Sequence, residues 1–379
     1  MPSKQFDTTW KAEPHTIAKI TILEAYLHAW FQIMGRSMSE QDIVYIDGFA
    51  GPGEYTNYRK GSPIAALNAA KASLALIGRQ WKAGDIHCVF IESDEKRFNH
   101  LQQLIGDLES HKRVNVHLIP TTFTEGLSQL KEKLPSTFSE FCPLFVFIDP
   151  FGATGVPFSA VENILKSPCS EVLLNFDADG IARIYRAAED AKSDILLKEV
   201  FGNEEWKTAL AGIQDFNILC RQMLNLYRQS LRCLQNVRYD FAFEMRSKSG
   251  SLNYYLMFAS QHPLGLEKMK EAMKKVDQTG NYHFSDAHVD QQTLFRFDKF
   301  ENYSPLMFAR FRGQIVQYDE LRDFALNDTP FTNPKGMLKD LEGKDLIVVL
   351  SRDPKRRKGT FNEENIINIT FKGGAEGGR

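Results

Sequence analysis

Between Val44 and Tyr55 the sequence is VYIDGFAGPGEY, in which Asp47 and three glycines follow a run of apolar residues. The apolar run is typical of a buried parallel strand, and the glycines allow the backbone to turn sharply and approach a ligand closely. Their spacing differs from the G-x-G-x-x-G pattern of dinucleotide-binding loops. We therefore expect either a ligand loop of another type or a strained turn, which any α/β protein can contain.

Further polar residues follow four later apolar runs, each at the point where the run ends. They are Glu92, the pair Thr121 and Thr122, Asp149, and Asn175. Parallel strands place their carboxyl ends at one edge of the sheet, and ligands of this fold class bind at that edge. These side chains are therefore expected to lie together, and the grouping favours a binding site more strongly than any single motif does.

The elements that would position these residues alternate between strands and helices. A helical pattern covers Ile17–Met34, and strands are predicted at Ile43–Ile46, Ile86–Glu92, Val114–Ile119, Leu144–Ile148 and Glu171–Phe176. This alternation predicts a doubly wound parallel sheet. Two more strands, at Arg238–Met245 and Asn253–Ala259, predict a closing β-hairpin, which the methyltransferase version of the fold uses and a plain dinucleotide fold does not need.

The C-terminal part of the chain has a different pattern. Helices are predicted at Ser304–Arg312, Tyr318–Leu326 and Asn333–Leu341, followed by strands at Leu346–Leu350 and Ile366–Phe371. Three helices and a two-stranded ribbon are typical of a winged helix, a relative of the helix-turn-helix. The turn between the strands contains four basic residues, which either track a phosphate backbone or form a solvated hairpin tip: Lys355, Arg356, Arg357 and Lys358.

The predicted fold class is therefore α/β, with a Rossmann-like class I methyltransferase sheet, a helical insertion and a C-terminal winged-helix domain. The expected domains are 1–282 with the insertion at about 183–235, a linker at 283–303, a winged helix at 304–372 and a tail at 373–379.

Composition limits the class of protein. The 379 residues are 43% hydrophobic and carry a formal net charge of −2, so any nucleic-acid surface must be local. The five cysteines contain no C-x-x-C pair, which argues against a zinc site or a disulfide framework and favours a reducing cytosol. No apolar run is long enough to span a bilayer. We expect a cytoplasmic protein with no metal and no membrane partner.

The strand-end residues fit a site for S-adenosylmethionine (SAM). Glu92 can accept hydrogen bonds from both ribose hydroxyls, and Asp47 can pair with the methionine ammonium group. Asp149-Pro150-Phe151-Gly152 stands where amino-group methyltransferases hold the amine to be methylated. The alternatives are an exposed strand-end acid for Glu92 and turn-stabilising roles for Asp47 and Asp149.

Several segments of the chain together resemble the three-Cys-motif partner protein family, a SAM-dependent methyltransferase-like group. They include YIDGFAGPGEY, GSPIAALNA, VFIESDEKRFNHL, VFIDPFG, YYLMFASQHPLGLEKMKEAM and GMLKDLEGKDLI. The resemblance implies a Rossmann methyltransferase with an appended winged helix and a partner protein that carries a three-cysteine motif. A more distant likeness to ribosomal-RNA adenine-N6 methyltransferases implies that Ser62 contacts SAM. Gly152 departs from that pattern where an aromatic ring stacks on the target base.

The expected function is SAM-dependent transfer of a methyl group to an amine or hydroxyl, with nucleic acid as one acceptor class. The alternative is a nucleic-acid- or protein-binding partner protein with a degenerate methyltransferase domain. The predicted cofactor residues are Asp47, Gly48, Phe49, Ala50, Gly51, Gly53, Ser62, Glu92, Ser93, Thr122, Phe123 and Asp149. The predicted catalytic residues are Asp149, Pro150, Phe151, Asn175 and Arg183.

Overall fold

A computed structural model of the chain describes residues 8–187, 191–277, 280, 282–288 and 299–373. These residues form two compact units. The first takes the described residues up to 277 together with 283–288, and the second takes 280, 282 and 299–373.

The first unit is built on eight strands. They are β1 (Ile43–Asp47), β2 (Ile86–Ile91), β3 (Val114–Ile119), β4 (Leu144–Ile148), β5 (Ser170–Phe176), β6 (Tyr239–Arg246), β7 (Leu252–Ser260) and β8 (His283–Ser285). They form one sheet in the order β3-β2-β1-β4-β5-β7-β6-β8. The pairs among β1 to β5 are parallel, whereas β7 runs antiparallel to both β5 and β6. This order confirms the predicted parallel sheet with an antiparallel closing hairpin.

Helices cover the two faces of this sheet in the way that an α/β fold requires. They are α1 (Pro14–Ser37), α2 (Ser62–Ile77), α3 (Glu95–Gly106), α4 (Phe123–Lys133), α5 (Phe158–Leu165), α6 (Ala178–Arg186), α7 (Ala191–Phe201), α8 (Trp206–Ala209), α9 (Phe216–Arg232) and α10 (Pro263–Met273). Every residue of β1 and β4 is buried, which is why both strands are nearly continuous apolar runs. Within the described ranges, none of the helices is long and apolar enough to cross a membrane.

The second unit combines three helices with a small antiparallel sheet. Its elements are α11 (Phe300–Phe311), β9 (Ile315–Val316), α12 (Tyr318–Asp328), α13 (Lys335–Gly343), β10 (Ile347–Ser351) and β11 (Ile366–Phe371). The sheet order is β10-β11-β9. Met307, Leu321, Leu338 and Ile369 are fully buried in a core of its own.

Both ends of the predicted linker at 283–303 belong to regular elements, β8 and α11. β8 pairs with β6 in parallel, and α11 begins at Phe300, whose ring stacks on Phe331 at 4.1 Å. A strand of three residues is too short to produce a periodic pattern, so β8 could not be predicted. Residues 289–298 of the predicted linker and 374–379 of the predicted tail lie outside the described residues.

Candidate functional site

A cleft of about 200 Å³ opens at the carboxyl edge of the first unit's sheet. One wall is the glycine loop after β1, and another is the loop after β4. The first turns of α1 and a tyrosine of β7 complete the lining. The cleft therefore lies where ligands bind in sheets of this class.

The glycine loop is held by the ends of the neighbouring strands. The Gly48 N–H donates to the carbonyl of Phe147 at 2.9 Å, and the Ala50 N–H donates to the carbonyl of Ile91 at 2.9 Å. Gly51 has a φ of +62°, in the left-handed region that favours glycine. The loop thus has a fixed shape before any ligand is present.

The long segment between β1 and α2 folds back onto this loop. The Gly61 N–H donates to the carbonyl of Gly53 at 2.8 Å, and a Cβ on Gly61 would lie 2.4 Å from that oxygen. Only glycine permits this approach, and it brings Ser62, the first residue of α2, into the cleft wall. The extra residues after Gly53 are therefore part of the site.

Glu92 connects the end of β2 to the glycine loop. Its carboxylate accepts the Gly51 N–H at 2.9 Å through one oxygen and the Asp94 N–H at 2.7 Å through the other. The side chain is buried. Each carboxylate oxygen keeps a further lone pair, so Glu92 can hold the loop and still accept a ligand hydroxyl.

Asp47 is completely buried behind the cleft wall and accepts the Phe49 N–H at 3.3 Å. Burial raises the pKa of Asp47 to about 7, although hydrogen bonding from Ser62 and from the Phe49 N–H opposes the shift. A cationic ligand group near this carboxyl would stabilise its ionised form, so its pKa is suited to respond to a ligand.

Asp149, at the end of β4, is engaged on both oxygens. The Lys19 ammonium lies 2.6 Å from Oδ1 and 2.5 Å from Oδ2, and the Asn175 amide donates to Oδ1 at 2.8 Å. Lys19 is 8% exposed and its charge lies 5.2 Å from the centre of the Tyr254 ring. The pair is a charge-assisted contact in the cleft wall.

A second acid–base pair lies in the same wall. His15 Nδ1 is 2.6 Å from Asp286 Oδ2, and the Tyr254 ring packs edge-on against the imidazole at 5.8 Å. Burial, and then the carboxylates of Asp149 and Asp286, raise the pKa of the Tyr254 phenol well above its usual range. Tyr254 therefore stays protonated and acts as a hydrogen-bond donor.

Aromatic side chains surround the mouth of the cleft. Trp10 contacts Tyr55 at 5.6 Å and Phe151 at 5.3 Å, both edge-to-face. The Arg97 guanidinium lies over the rings of Trp10 and Phe151 at 5.1 and 4.7 Å. Phe151 is nonetheless 63% exposed. The mouth thus offers aromatic surface to a planar group.

Four polar atoms around the cleft are buried and find no hydrogen-bond partner among the described residues: Asp47 Oδ2, Asn175 Oδ1, Tyr254 OH and Asp286 Oδ1. Buried polar atoms are normally satisfied, so a cluster of exceptions beside a cleft marks the place of a ligand. The free carboxylate oxygen of Asp47 and the free amide oxygen of Asn175 fit a ligand end that carries an ammonium group.

Most of the predicted site residues line the cleft. They are Phe49, Ala50, Gly51, Gly53, Ser62, Asp149, Pro150, Phe151 and Asn175. Asp47 and Glu92 lie directly behind that lining. Gly48 is covered by Phe123, to which an added Cβ would come within 2.6 Å.

Other predicted residues lie elsewhere. Arg183 is 74% exposed and pairs with Asp179 one turn away on α6, so it does not lie in the cleft. Thr122 donates to Glu125 at the start of α4, and Phe123 is buried against Phe49. Ser93 is exposed. The position of Thr122 follows from the start of α4, and that of Phe123 follows from packing in the core.

The sequence analysis missed the cleft residues outside the strand–helix repeat: Trp10, His15, Lys19, Tyr55, Tyr254 and Asp286. One signal was available. His15 and Lys19 are four residues apart and continue the stripe that Ile22 and Tyr26 bury against the sheet. Polar residues on such an apolar stripe indicate a polar partner.

No protein-family model and no curated protein matches the chain. Among solved structures it is similar to Trm1 from Pyrococcus horikoshii in complex with S-adenosyl-L-methionine, at 9% identity and a TM-score of 0.34 over 74% of this chain and 65% of that one. It is also similar to an O-methyltransferase from Bacillus cereus in complex with SAH, at 15% identity and a TM-score of 0.32 over 62% of this chain and 80% of that one. At such scores the likenesses carry no weight for function.

Proposed function

We propose that this protein is a SAM-dependent methyltransferase that acts on an amine or hydroxyl acceptor. The observation that carries the proposal is the group of three acids, Asp47, Glu92 and Asp149, at the carboxyl ends of adjacent strands around one cleft. The unsatisfied buried atoms beside them support it. A dinucleotide site is less well supported, because the glycine spacing is different.

The chain's own residues provide contacts for each part of the cofactor. Glu92 faces the ribose hydroxyls, and Asp47 and Asn175 supply acceptors for the methionine ammonium. SAM supplies a methyl group on a sulfonium, which an acceptor lone pair displaces in line. The protein's contribution is then to bind, to align the acceptor and to exclude water.

Asp149 holds the acceptor side of the site in this proposal. Its carboxylate is fixed by Lys19 and Asn175, so it can accept a hydrogen bond from a substrate N–H or O–H in a defined direction. In this proposal Asp149 therefore positions the acceptor.

Calorimetric titration of the full chain with SAM and with S-adenosylhomocysteine tests the proposal. We expect one site per chain and an increase in thermal stability that follows ligand concentration. A folded protein that gives neither heat nor a thermal shift at millimolar ligand is not a SAM enzyme.

The second candidate is a partner protein whose methyltransferase domain is degenerate. The observation that favours it is the closed pair of Lys19 and Asp149, which already satisfies the carboxylate that a substrate would use. This candidate predicts copurification with a protein carrying a three-cysteine motif and no methyl transfer to any fraction of a cell extract. Transfer of labelled methyl to any fraction contradicts it.

Under either candidate function, we propose that the second unit is a winged helix. Its helix and strand order, with β10 and β11 joined by a basic turn, supports this proposal, and nucleic acid is the partner that the turn's charge favours. Lys355, Arg357 and Lys358 are exposed. Arg356 is instead bound to Glu342 through two hydrogen bonds of 2.8 and 2.9 Å and is excluded from this surface.

A further inference from the structure

The pair of His15 and Asp286 has the form of an oriented general base. The two side chains are 20% and 8% exposed and meet at 2.6 Å through Nδ1 and Oδ2. A carboxylate at Nδ1 favours the tautomer with its proton on Nδ1, which leaves the lone pair on Nε2. His15 lines the cleft, and no hydrogen bond to Nε2 is found among the described residues.

We propose that His15 is the general base of the reaction and that the methyl acceptor is a hydroxyl group. The proposal rests on the methyltransferase function proposed above and deepens it. Neutral amines already carry a nucleophilic lone pair, whereas a hydroxyl becomes a good nucleophile only as its proton leaves. A cleft that contains an oriented base is therefore built for a hydroxyl.

The step can be written with its atoms balanced. His15 Nε2 takes the hydroxyl proton while the acceptor oxygen forms a bond to the methyl carbon. The carbon–sulfur bond breaks, and its electron pair remains on the sulfur of the departing thioether. His15 is left as an imidazolium that Asp286 stabilises, and its proton then passes to solvent. No further reactant is needed.

The groups around His15 have separate roles in the proposed step. Asp149 is paired with Lys19 and held by Asn175, so its carboxylate has a fixed direction and positions the acceptor. The Tyr254 phenol, buried with an unsatisfied hydroxyl, is a donor toward the acceptor oxygen. Asp286 acts through His15 and is a positioning residue. The aromatic mouth fits a hydroxyl carried on a planar ring.

Nuclear magnetic resonance of the histidine-labelled full chain tests the pair without a substrate. We expect His15 in the Nδ1–H tautomer, with a downfield N–H signal that Asp286→Asn removes. His28 lies on the same helix outside the cleft, and its signals should not change in that variant. An Nε2–H tautomer for His15, or a downfield signal that survives Asp286→Asn, overturns the proposal.

A second experiment follows labelled methyl from SAM into catechol, as a hydroxyl probe, and aniline, as a neutral amine probe. Catechol should be labelled, and His15→Gln should lower the rate about 10²–10⁴-fold, the usual contribution of a general base. His28→Gln should change it less than about threefold, within the spread of surface substitutions. Labelling of aniline alone, labelling of neither probe, or a wild-type rate in His15→Gln overturns the inference.

Binding of S-adenosylhomocysteine distinguishes a failure of the methyltransferase proposal from a failure of the role proposed for His15. His15→Gln and Asp286→Asn should bind it as the wild type does, because the proposal gives neither residue a contact with the cofactor. If the wild type does not bind it, the methyltransferase proposal fails. If binding is normal and the tautomer is wrong, only the role of His15 fails.

Discussion

At the scale of single residues, Glu92 serves two purposes through one carboxylate. It fixes the glycine loop by accepting the N–H groups of Gly51 and Asp94, and it is our proposed ribose acceptor. We expect Glu92→Ala to weaken SAM binding by about 1–3 kcal/mol, because hydrogen bonds to a charged group are lost and the loop loses its anchor. Calorimetry measures this. Glu95→Ala, at an exposed position of α3, is the matched control and should bind normally.

For Asp149 we expect a larger effect on turnover than on SAM binding. Asp149→Ala removes the positioning carboxylate and leaves the Lys19 ammonium 8% exposed without its partner. Turnover should fall more than SAM affinity, by about tenfold or more, since the acceptor is no longer aligned. Comparison of turnover with the SAM dissociation constant in this variant checks the prediction. Loss of SAM binding with normal turnover at saturation would show that Asp149 belongs to the cofactor side.

At the scale of elements, the segment before α1 is tied to the loop after β1. The Ala12 N–H donates to Asn57 Oδ1 at 2.7 Å, and the Asn57 amide donates back to the Ala12 carbonyl at 3.0 Å. Asn57→Ala should reduce the free energy of unfolding by about 1–2 kcal/mol. It should also speed amide exchange near residues 8–13. Asn225→Ala, on the exposed face of α9, should leave exchange there unchanged.

The strands and helices of the first unit explain which site residues could be predicted from the sequence and which could not. The strand ends were found because β1 and β4 are buried on both faces and end abruptly in polar residues. His15 and Asp286 were missed because 271 positions separate them and because β8 is only three residues long. Sequence periodicity indicates how a single element packs. A site between α1 and the segment after β8 depends instead on how distant elements are arranged in the fold.

At the scale of the whole molecule, two buried carboxyls affect how stability depends on pH. Burial raises the pKa of Glu171 to about 7 and that of Asp47 to about 7. Both pKa values lie above those of the unfolded chain. Their contribution to stability is therefore fully present below about pH 4 and is lost as the pH rises through 7.

Glu171→Gln tests this contribution away from the cleft. Glutamine can still accept the Tyr26 hydroxyl, which lies 2.5 Å from Glu171 Oε2, but it does not ionise. The variant should be more stable than the wild type at pH 8 by on the order of 1–3 kcal/mol and should lose less stability between pH 5 and pH 8. Chemical denaturation at both pH values measures this. Parallel pH profiles for the two proteins would show that Glu171 does not titrate in this range.

The basic turn of the second unit is expected to determine how DNA binding depends on salt. Arg356 must stay unchanged, because its loss would leave the 8%-exposed Glu342 carboxylate without its partner. The double variant Arg357→Ala with Lys358→Ala should weaken binding of the full chain to duplex DNA and lower the salt slope of log affinity by about 2, as expected for two lost phosphate contacts. Lys131→Ala with Lys133→Ala removes the same charge from α4 and should leave the slope unchanged. Equal effects of the two pairs would mean that net charge, and not the turn, determines binding.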